Sequence, residues 1–198
     1  EDIDFKAGTY NTASLVYSFV PDYADHLYQE TFFDSTNKLP TNSTSFEGMN
    51  SRWTNYLKDL SGLSVYDGVK TAITYAWTNT QPSAQESTAL QGMDGNHLWF
   101  QDVNSTFTVS GIRLYGKTKL NLSFLQTYKS SGLKIEYSLN GGTDWTEIGT
   151  VANPASAVCE SKSFDFEVAS DSKTIDLRFT CTAKGPRIDN IKLTWQAE

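Results

Sequence analysis

Two neighbouring stretches of the chain alternate strictly between apolar and polar residues, and they constrain the fold more than any other feature. The alternation runs through residues 119–124 and again through residues 133–138. A period of two places one face of a β-strand on a core and the other face in water. The second stretch is followed by Asn140-Gly141-Gly142, which supplies the positive φ angles of a tight hairpin turn. The sequence therefore predicts an antiparallel hairpin inside a larger sheet.

Further strands are predicted where short apolar or aromatic runs recur between turn signals. These strands cover residues 13–20, 28–34, 69–77, 96–101, 107–115, 164–168, 175–180 and 188–195. The apolar parity shifts between Val109 and Ile112, which predicts a β-bulge at Ser110-Gly111. Residues 78–95 are polar and are predicted to form a loop. So many short strands are typical of an all-β sandwich of two antiparallel sheets.

One short helix is predicted beside the strands. Five apolar residues recur there at helical spacing: Met49, Trp53, Tyr56, Leu57 and Leu60. Asn50 or Ser51 can cap this helix and Gly62 can end it. At 198 residues the chain fits one large β domain, predicted at residues 28–198. Residues 1–27 are predicted to be an N-terminal segment that could add one strand.

The overall charge excludes some classes of partner. The net charge is −7, from 16 basic and 23 acidic residues, and the sequence shows no clustered basic patch. Nucleic acids and anionic membrane surfaces are therefore not expected as partners. No apolar run approaches the roughly 18 residues that a membrane-spanning helix needs. Aromatic residues make up 13% of the chain, enough to fill a core and leave some for a binding face.

The two cysteines leave the redox state open. If residues 164–168 and 175–180 formed a hairpin, Cys181 would face about Lys162, three residues away from Cys159. A disulfide needs Cα atoms within about 7 Å, so it would require a bent strand. Both a disulfide and two packed thiols remain open, and packed thiols are favoured.

Six segments occur in an order that resembles a known group of domains. They are ETFFD at 30–34, HLWF at 97–100, LNLSF at 120–124, LKIEYS at 133–138, GGTDW at 141–145 and PRIDNI at 186–191. Together they resemble the jelly-roll domains of Bacteroidetes cell-surface and secreted proteins, a galactose-binding-like group that includes many carbohydrate-binding modules. The resemblance covers about residues 28–196. It implies a two-sheet jelly roll, an extracytoplasmic setting, lipid-anchored or secreted, and a carbohydrate ligand.

Two strands start with a carboxylate that alternates in phase with apolar residues, and if those apolar residues face the core, so do both carboxylates. Asp189 lies two residues from Ile191, and Glu30 lies two residues from Phe32, so each pair is predicted on one face of its strand. A buried anion must be paired, hydrogen-bonded or bound to metal, and Ca²⁺ prefers six to eight oxygen ligands. In the resembling families a Glu of the first strand and an Asp of the last hold a structural calcium, which implies a Ca²⁺ site at Glu30 and Asp189. The alternative is that Asp189 pairs with Arg187 or caps a turn.

Sugar binding requires an exposed aromatic ring beside polar groups that orient the hydroxyls. Trp77 ends a predicted strand beside a long polar loop, so it is predicted to be the exposed platform. The predicted ligand-binding residues are Trp77, Tyr75, Asn79 and Gln81.

The other four tryptophans are predicted to be structural. Trp145 and Trp195 lie in strongly alternating segments and are predicted to be core residues. Trp53 belongs to the apolar stripe of the helix, and Trp99 occupies a position that is structural in the resembling group.

Catalysis is not predicted. The sequence contains no nucleophile elbow, no phosphate-binding glycine loop and no convincing carboxylate pair on one strand. We therefore expect a binding module whose partner is a glycan or, alternatively, a surface protein recognised in adhesion. Sugar binding predicts an aromatic ring beside amide and carboxylate groups in a groove, whereas adhesion predicts a flatter patch with sheet-edge pairing. A glycan-active enzyme is the third and least favoured class.

Overall fold

The computed structural model describes residues 26–30, 73–83, 97–127, 132–152, 159–183 and 185–196. Within these ranges the chain forms β-strands and no helix. The strands are β1 Tyr28–Glu30, β2 Thr74–Thr78, β3 Thr80–Ser83, β4 His97–Phe100, β5 Thr106–Arg113, β6 Lys119–Thr127, β7 Gly132–Ser138, β8 Thr146–Ala152, β9 Glu160–Glu167, β10 Thr174–Ala183 and β11 Arg187–Trp195.

Some predictions fall outside these ranges. The helix at residues 49–60, the strand at 13–20 and most of the segment 1–27 lie there, so they stay predictions, as does the boundary at residue 28. None of the described residues belongs to a helix that could span a membrane.

The strands form two antiparallel sheets. Sheet A has the order β3-β4-β11-β6-β9, with β1 also paired to β11, and sheet B has the order β2-β5-β10-β7-β8. The prediction of an all-β, two-sheet antiparallel jelly-roll sandwich is confirmed. The first and last described strands, β1 and β11, are neighbours as expected.

The core lies between the inner faces of the sheets, and the alternating residues supply it. Leu120, Leu122 and Phe124 of β6 are buried, as are Leu133 and Ile135 of β7. The period-two pattern therefore placed these side chains on the correct face.

Two backbone features confirm local sequence signals. Ile175 pairs with Ile112 and Leu177 pairs with Val109, so two residues of β5 lie opposite Asp176 alone. The bulge at Ser110-Gly111 is thus confirmed, and the amide of Gly111 donates a hydrogen bond to Asp176 Oδ1 at 2.8 Å. The predicted turn at residues 140–142 is also confirmed, with φ angles of +70° and +82° at its two glycines.

A second bulge, in β11, overturns the predicted parity of Asp189. Asn190 has a φ of +52°, and the register shifts between Asp189, opposite Leu125, and Lys192. The extra residue moves Asp189 to the outer face of sheet A, whereas Ile191 stays on the inner face. The expectation that Asp189 and Ile191 share the core face is therefore wrong.

The predicted loop at residues 78–95 is also partly wrong, because β3 forms within it and pairs with β4. The polar composition and Pro82 concealed this strand. An edge strand tolerates proline because one row of its amide groups has no ladder partner, and β3 lies at the edge of sheet A.

The hairpin considered for residues 164–168 and 175–180 does not form. β9 pairs with β6 in sheet A, whereas β10 pairs with β5 and β7 in sheet B. The link at residues 168–173 therefore crosses between the sheets. No disulfide joins Cys159 and Cys181, and Cys181 donates a hydrogen bond to the carbonyl oxygen of Ala183 at 3.1 Å. The packed-thiol alternative is correct.

Candidate functional site

The aromatic residues predicted as a sugar platform lie on the inner side of β2. Tyr75 and Trp77 are half-buried and alternate with exposed residues along the strand, and both pack against the core. The ring of Tyr75 stacks on Phe107 with centroids 5.9 Å apart. One face of this ring is therefore covered by protein.

The two polar residues predicted beside that platform follow in the chain. Asn79 is exposed and has a φ of +46°, where the chain passes from sheet B to sheet A. Gln81 lies in β3, in register with Trp99 of the neighbouring strand. Tyr75 and Trp77 thus pack against the core whereas Asn79 is exposed, and ligand binding by these residues stays a prediction.

The predicted calcium ligands lie on neighbouring strands, β1 and β11. Glu30 pairs with Ile191 along the backbone, and the structure does not describe its side chain. Asp189 is 1% exposed, and its Oδ1 accepts a hydrogen bond from the Asn190 amide at 2.7 Å. Asp189 therefore stabilises the bulge, which matches the turn-capping alternative.

A calcium ion needs more oxygen ligands than Asp189 supplies. Among the described residues, no group of three or more His, Cys, Asp or Glu side chains is placed to hold a metal ion. Calcium binding at Glu30 and Asp189 stays a prediction, and a melting temperature unaffected by a chelator would contradict it.

Trp145 is not a core residue, so that prediction is wrong. It precedes β8 and belongs to the turn, where strand parity does not apply. Its half-buried ring lies 4.0 Å from the guanidinium of Arg178, and its Nε1 donates a hydrogen bond to the Gly142 carbonyl oxygen at 2.9 Å. Trp99 has a similar environment, 4.9 Å below the guanidinium of Arg187. Both indoles are thus covered by a cation on one face.

Glu136 lies on the outer face of sheet B, where its carboxylate contacts two cationic side chains. Its side chain is 8% exposed and contacts Lys134 at 2.8 Å and Arg178 at 2.8 Å. Burial alone would raise the pKa of Glu136, but hydrogen bonds from Lys134 and Arg178 outweigh burial and lower this pKa below its usual value. The folded state therefore favours the ionised carboxylate.

Glu136→Gln is expected to lower the free energy of unfolding by about 1–2 kcal/mol at neutral pH, because two partly exposed cations lose their carboxylate. A lowered folded-state pKa gives stability that is present above the unfolded-state pKa and lost as the pH falls through the folded-state pKa. The difference between wild type and variant should therefore shrink in acid. Urea unfolding across the acidic range measures it.

Glu147→Gln is the matched control for this experiment. Glu147 pairs in register with Glu136 on β8 and is exposed, so its replacement should change stability by less than about 0.5 kcal/mol. If the loss of unfolding free energy in Glu136→Gln stayed constant with pH, the loss would come from packing and not from ionisation of Glu136.

A cleft opens at one end of the sandwich, where β6 begins and β11 ends. We call it the end cleft, and its volume is about 220 Å³. It is lined by Tyr115, Gly116, Lys117, Thr118, Lys119, Trp195 and Gln196. The Gln196 amide donates to the Lys119 carbonyl oxygen at 3.0 Å and the Val168 amide to that of Thr118 at 2.9 Å. These backbone bonds fix the positions of Thr118, Lys119 and Gln196 in the lining.

A tight turn carries one wall of the end cleft. The Lys117 amide donates to the Leu114 carbonyl oxygen at 2.8 Å. Tyr115 and Gly116, the two central residues, have φ angles of +49° and +77°. Positive φ at both positions suits glycine or asparagine, whereas in an aromatic residue it costs about 1–2 kcal/mol. Tyr115 therefore holds a strained position at the cleft.

Trp195 is the second aromatic residue of the end cleft. Its half-buried indole packs against the core, as predicted, but it also lines the cleft. The ammonium of Lys117 lies 5.3 Å from the ring centroid, and the guanidinium of Arg113 lies 5.7 Å from the Tyr115 centroid. The cleft therefore combines two aromatic rings with ordered cations.

The sequence pattern does not predict this cleft. It places Tyr115 at the end of a strand and Trp195 in the core, and it gives Lys117 no role. One signal was available, since Tyr115-Gly116 lies between two alternating strands and glycine there predicts a turn. Nothing local to the turn indicated that it meets Trp195.

Comparison with known proteins shows the fold. The chain matches no protein-family model and no curated protein. The CBM22-1 xylan-binding domain of Xyn10C from Paenibacillus barcinonensis superimposes with a TM-score of 0.51 at 11% identity, covering 90% of this chain and 100% of that domain. At this identity the likeness establishes the β-sandwich and leaves the ligand open.

Two other solved structures are more distant. The C-terminal CBM6 of LamC from Zobellia galactanivorans has a TM-score of 0.47 at 12% identity, over 62% of this chain and 98% of that one. The enzymatically active domain of tailspike protein 4 of bacteriophage CBA120 has a TM-score of 0.46 at 12% identity, over 63% of this chain. This chain spans 19% of the length of that tailspike domain.

Proposed function

We propose that the domain is a non-catalytic carbohydrate-binding module that holds a glycan in the end cleft. The setting that accompanies this proposal is extracytoplasmic, at the cell surface or in the medium, and it rests on the sequence resemblance alone. The shared sandwich fold of the xylan-binding domain from Paenibacillus barcinonensis is compatible with this role.

The observation that carries the proposal is the pair of aromatic rings, Tyr115 and Trp195, in one cleft with hydrogen-bonding groups. Thr118 and Gln196 supply a hydroxyl and an amide. Aromatic surface beside a few oriented polar groups is what a sugar ring requires. Strained residues gather at functional sites, and Tyr115 is one of four non-glycine residues with positive φ in the described part of the chain.

Catalysis is disfavoured by the residues of the cleft. The seven lining residues include no carboxylate and no imidazole, whereas glycoside hydrolysis uses two carboxylates that flank the scissile bond. The rival function, adhesion to a protein, is disfavoured by the shape, because a concave site differs from a flat patch. We therefore favour glycan binding over both.

The size of the cleft limits how much ligand it encloses. Pockets that bury a whole small molecule measure roughly 300–1,000 Å³, and the end cleft, at about 220 Å³, is smaller. It therefore holds one ring or one end of a longer glycan, and the rest of the ligand stays in solvent.

The test is a glycan array with wild type and Tyr115→Asn, followed by titration calorimetry on the hits. Asparagine suits positive φ, so this variant removes the ring, keeps the turn and should be at least as stable as wild type. We expect its affinity for the hits to fall about tenfold or more, which corresponds to about 1.4 kcal/mol.

Trp77→Phe serves as the control and also tests the site predicted from the sequence. It should keep wild-type affinity if the end cleft binds the glycan. Affinity lost in Trp77→Phe and kept in Tyr115→Asn would move the site to β2. An array without hits across plant, host and microbial glycans would favour adhesion instead.

A further inference from the structure

We infer that the end cleft selects an acidic glycan, whose anionic substituent binds Lys117 with help from Lys119. This inference rests on the proposed function and adds the chemical class of the ligand. The anion is a carboxylate or a sulfate ester on a sugar ring, and these two sources share the chemistry that the cleft recognises.

The charge of the cleft is opposite to the charge of the chain. Acidic residues outnumber basic ones by 23 to 16 in the whole sequence, yet two of the seven lining residues are lysines and none is acidic. Arg113 does not line the cleft, but its guanidinium lies 5.7 Å from the ring centroid of Tyr115, which does. An anion therefore meets a local positive potential on a protein whose net charge would repel it.

Lys117 is ordered before any ligand binds. Its backbone is fixed by the hydrogen bond to Leu114, and its ammonium is held over the indole of Trp195 at 5.3 Å. A cation–π contact attracts the ammonium to the ring and removes part of its water. A cation that is already positioned loses less conformational entropy on binding, so it contributes more affinity than a freely moving lysine.

The same contact separates acidic from neutral sugars. Because the ammonium of Lys117 covers one face of the indole, a neutral sugar that stacked on that face would have to displace it. An anionic sugar uses the ammonium where it already lies. The position of Lys117 thus favours the acidic ligand.

The acidic residue on the strand next to β6 lies beside Lys119 and not beside Lys117. Glu167 pairs with Lys119 in the β6–β9 ladder, which places an acidic residue beside Lys119 on the neighbouring strand. Lys117 lies in the turn, outside the ladder. On the other side, the Lys173 carbonyl oxygen accepts the Leu114 amide at 3.0 Å, which brings another basic residue beside the turn. Lys117 is therefore assigned the main role.

The test compares four polymers: polygalacturonate for carboxylate, dextran sulfate for sulfate, neutral dextran, and polyphosphate as an anion without sugar. Calorimetry on wild type should show binding to one or both acidic glycans and none, or much weaker binding, to dextran and polyphosphate. Lys117→Gln should reduce the acidic affinity about tenfold, as loss of a charge-assisted hydrogen bond does, and Lys117→Arg should restore most of it.

Lys192→Gln is the control, because it changes the net charge equally but lies on the outer face of sheet A, and it should leave binding unchanged. Equal affinity for acidic glycans in Lys117→Gln and wild type would overturn the inference. So would polyphosphate that binds as well as the glycans. If wild type bound only a neutral glycan, and Tyr115→Asn abolished that binding, the proposed function would stand and the acidic preference would be wrong.

Discussion

Phe124→Ala is expected to lower the free energy of unfolding by about 3–5 kcal/mol, the range for truncating a buried phenylalanine. Phe124 is 1% exposed. Its ring meets Phe179 of sheet B edge to face with centroids 5.6 Å apart, and it stacks on Phe164 of sheet A at 6.2 Å. The truncation therefore removes apolar area and two ring contacts and leaves a cavity between the sheets. Urea unfolding monitored by circular dichroism measures the loss.

The matched control is Val103→Ala, since Val103 is an apolar residue that is 51% exposed. Surface changes of this kind stay within about 0.5 kcal/mol. A Phe124→Ala loss below about 1.5 kcal/mol would mean that neighbouring side chains fill the space, and the two sheets would then not be held by this contact.

The alternation in β6 made this core predictable, because strands that are half-buried show a period of two wherever one face is wet. The same reasoning found the bulge in β5 from the three-residue step between Val109 and Ile112. β11 contains an equivalent step, from Ile188 to Ile191, and it does mark a bulge. The prediction that Asp189 lies on the same face as Ile191 does not allow for this step. The predicted face of Asp189 is therefore wrong, although the step that marks the bulge is present in the sequence.

Other features had no local signal. The link at residues 168–173 has ordinary turn chemistry, and turn chemistry does not decide whether the next strand pairs with the last or crosses to the other sheet. The end cleft could not be predicted from local sequence either, because only the pairing of β6 with β11 brings Tyr115 and Trp195 together. Predicting the cleft would have required the topology first.

Gly149→Val tests the packing around Phe164, and two physical effects of this substitution on stability oppose each other. Gly149 lies in β8, where valine has the higher strand propensity, a gain of up to about 1 kcal/mol. A Cβ at this position would contact Cε1 of Phe164 and lie 2.7 Å from Cδ1 of the same ring. Overpacking costs about 1–3 kcal/mol or more, and the branched side chain of valine is larger than a single Cβ. We therefore expect a net loss of about 2–3 kcal/mol.

Thr150→Val is the control, since Thr150 is the next residue of β8 and is exposed. It should change stability by less than about 0.5 kcal/mol, because it introduces no clash and removes only the exposed hydrogen bond from Thr150 Oγ1 to Glu147 Oε1 at 2.9 Å. If Gly149→Val were as stable as wild type, the ring of Phe164 would be free to move and the close approach of β8 to β9 would not constrain this position.

A double-mutant cycle joins the two predictions, because the ring of Phe164 stacks on Phe124 and also lies against Gly149. In the Phe124→Ala background the ring of Phe164 gains space, so Gly149→Val should cost less there than in wild type. Residues that share a contact show coupling energies of about 0.5–3 kcal/mol, whereas independent sites add. If the losses of the two single variants added in the double variant, the strain of Gly149→Val would lie in the β8 backbone. If Gly149→Val cost less in the Phe124→Ala background, the strain would lie in the ring of Phe164.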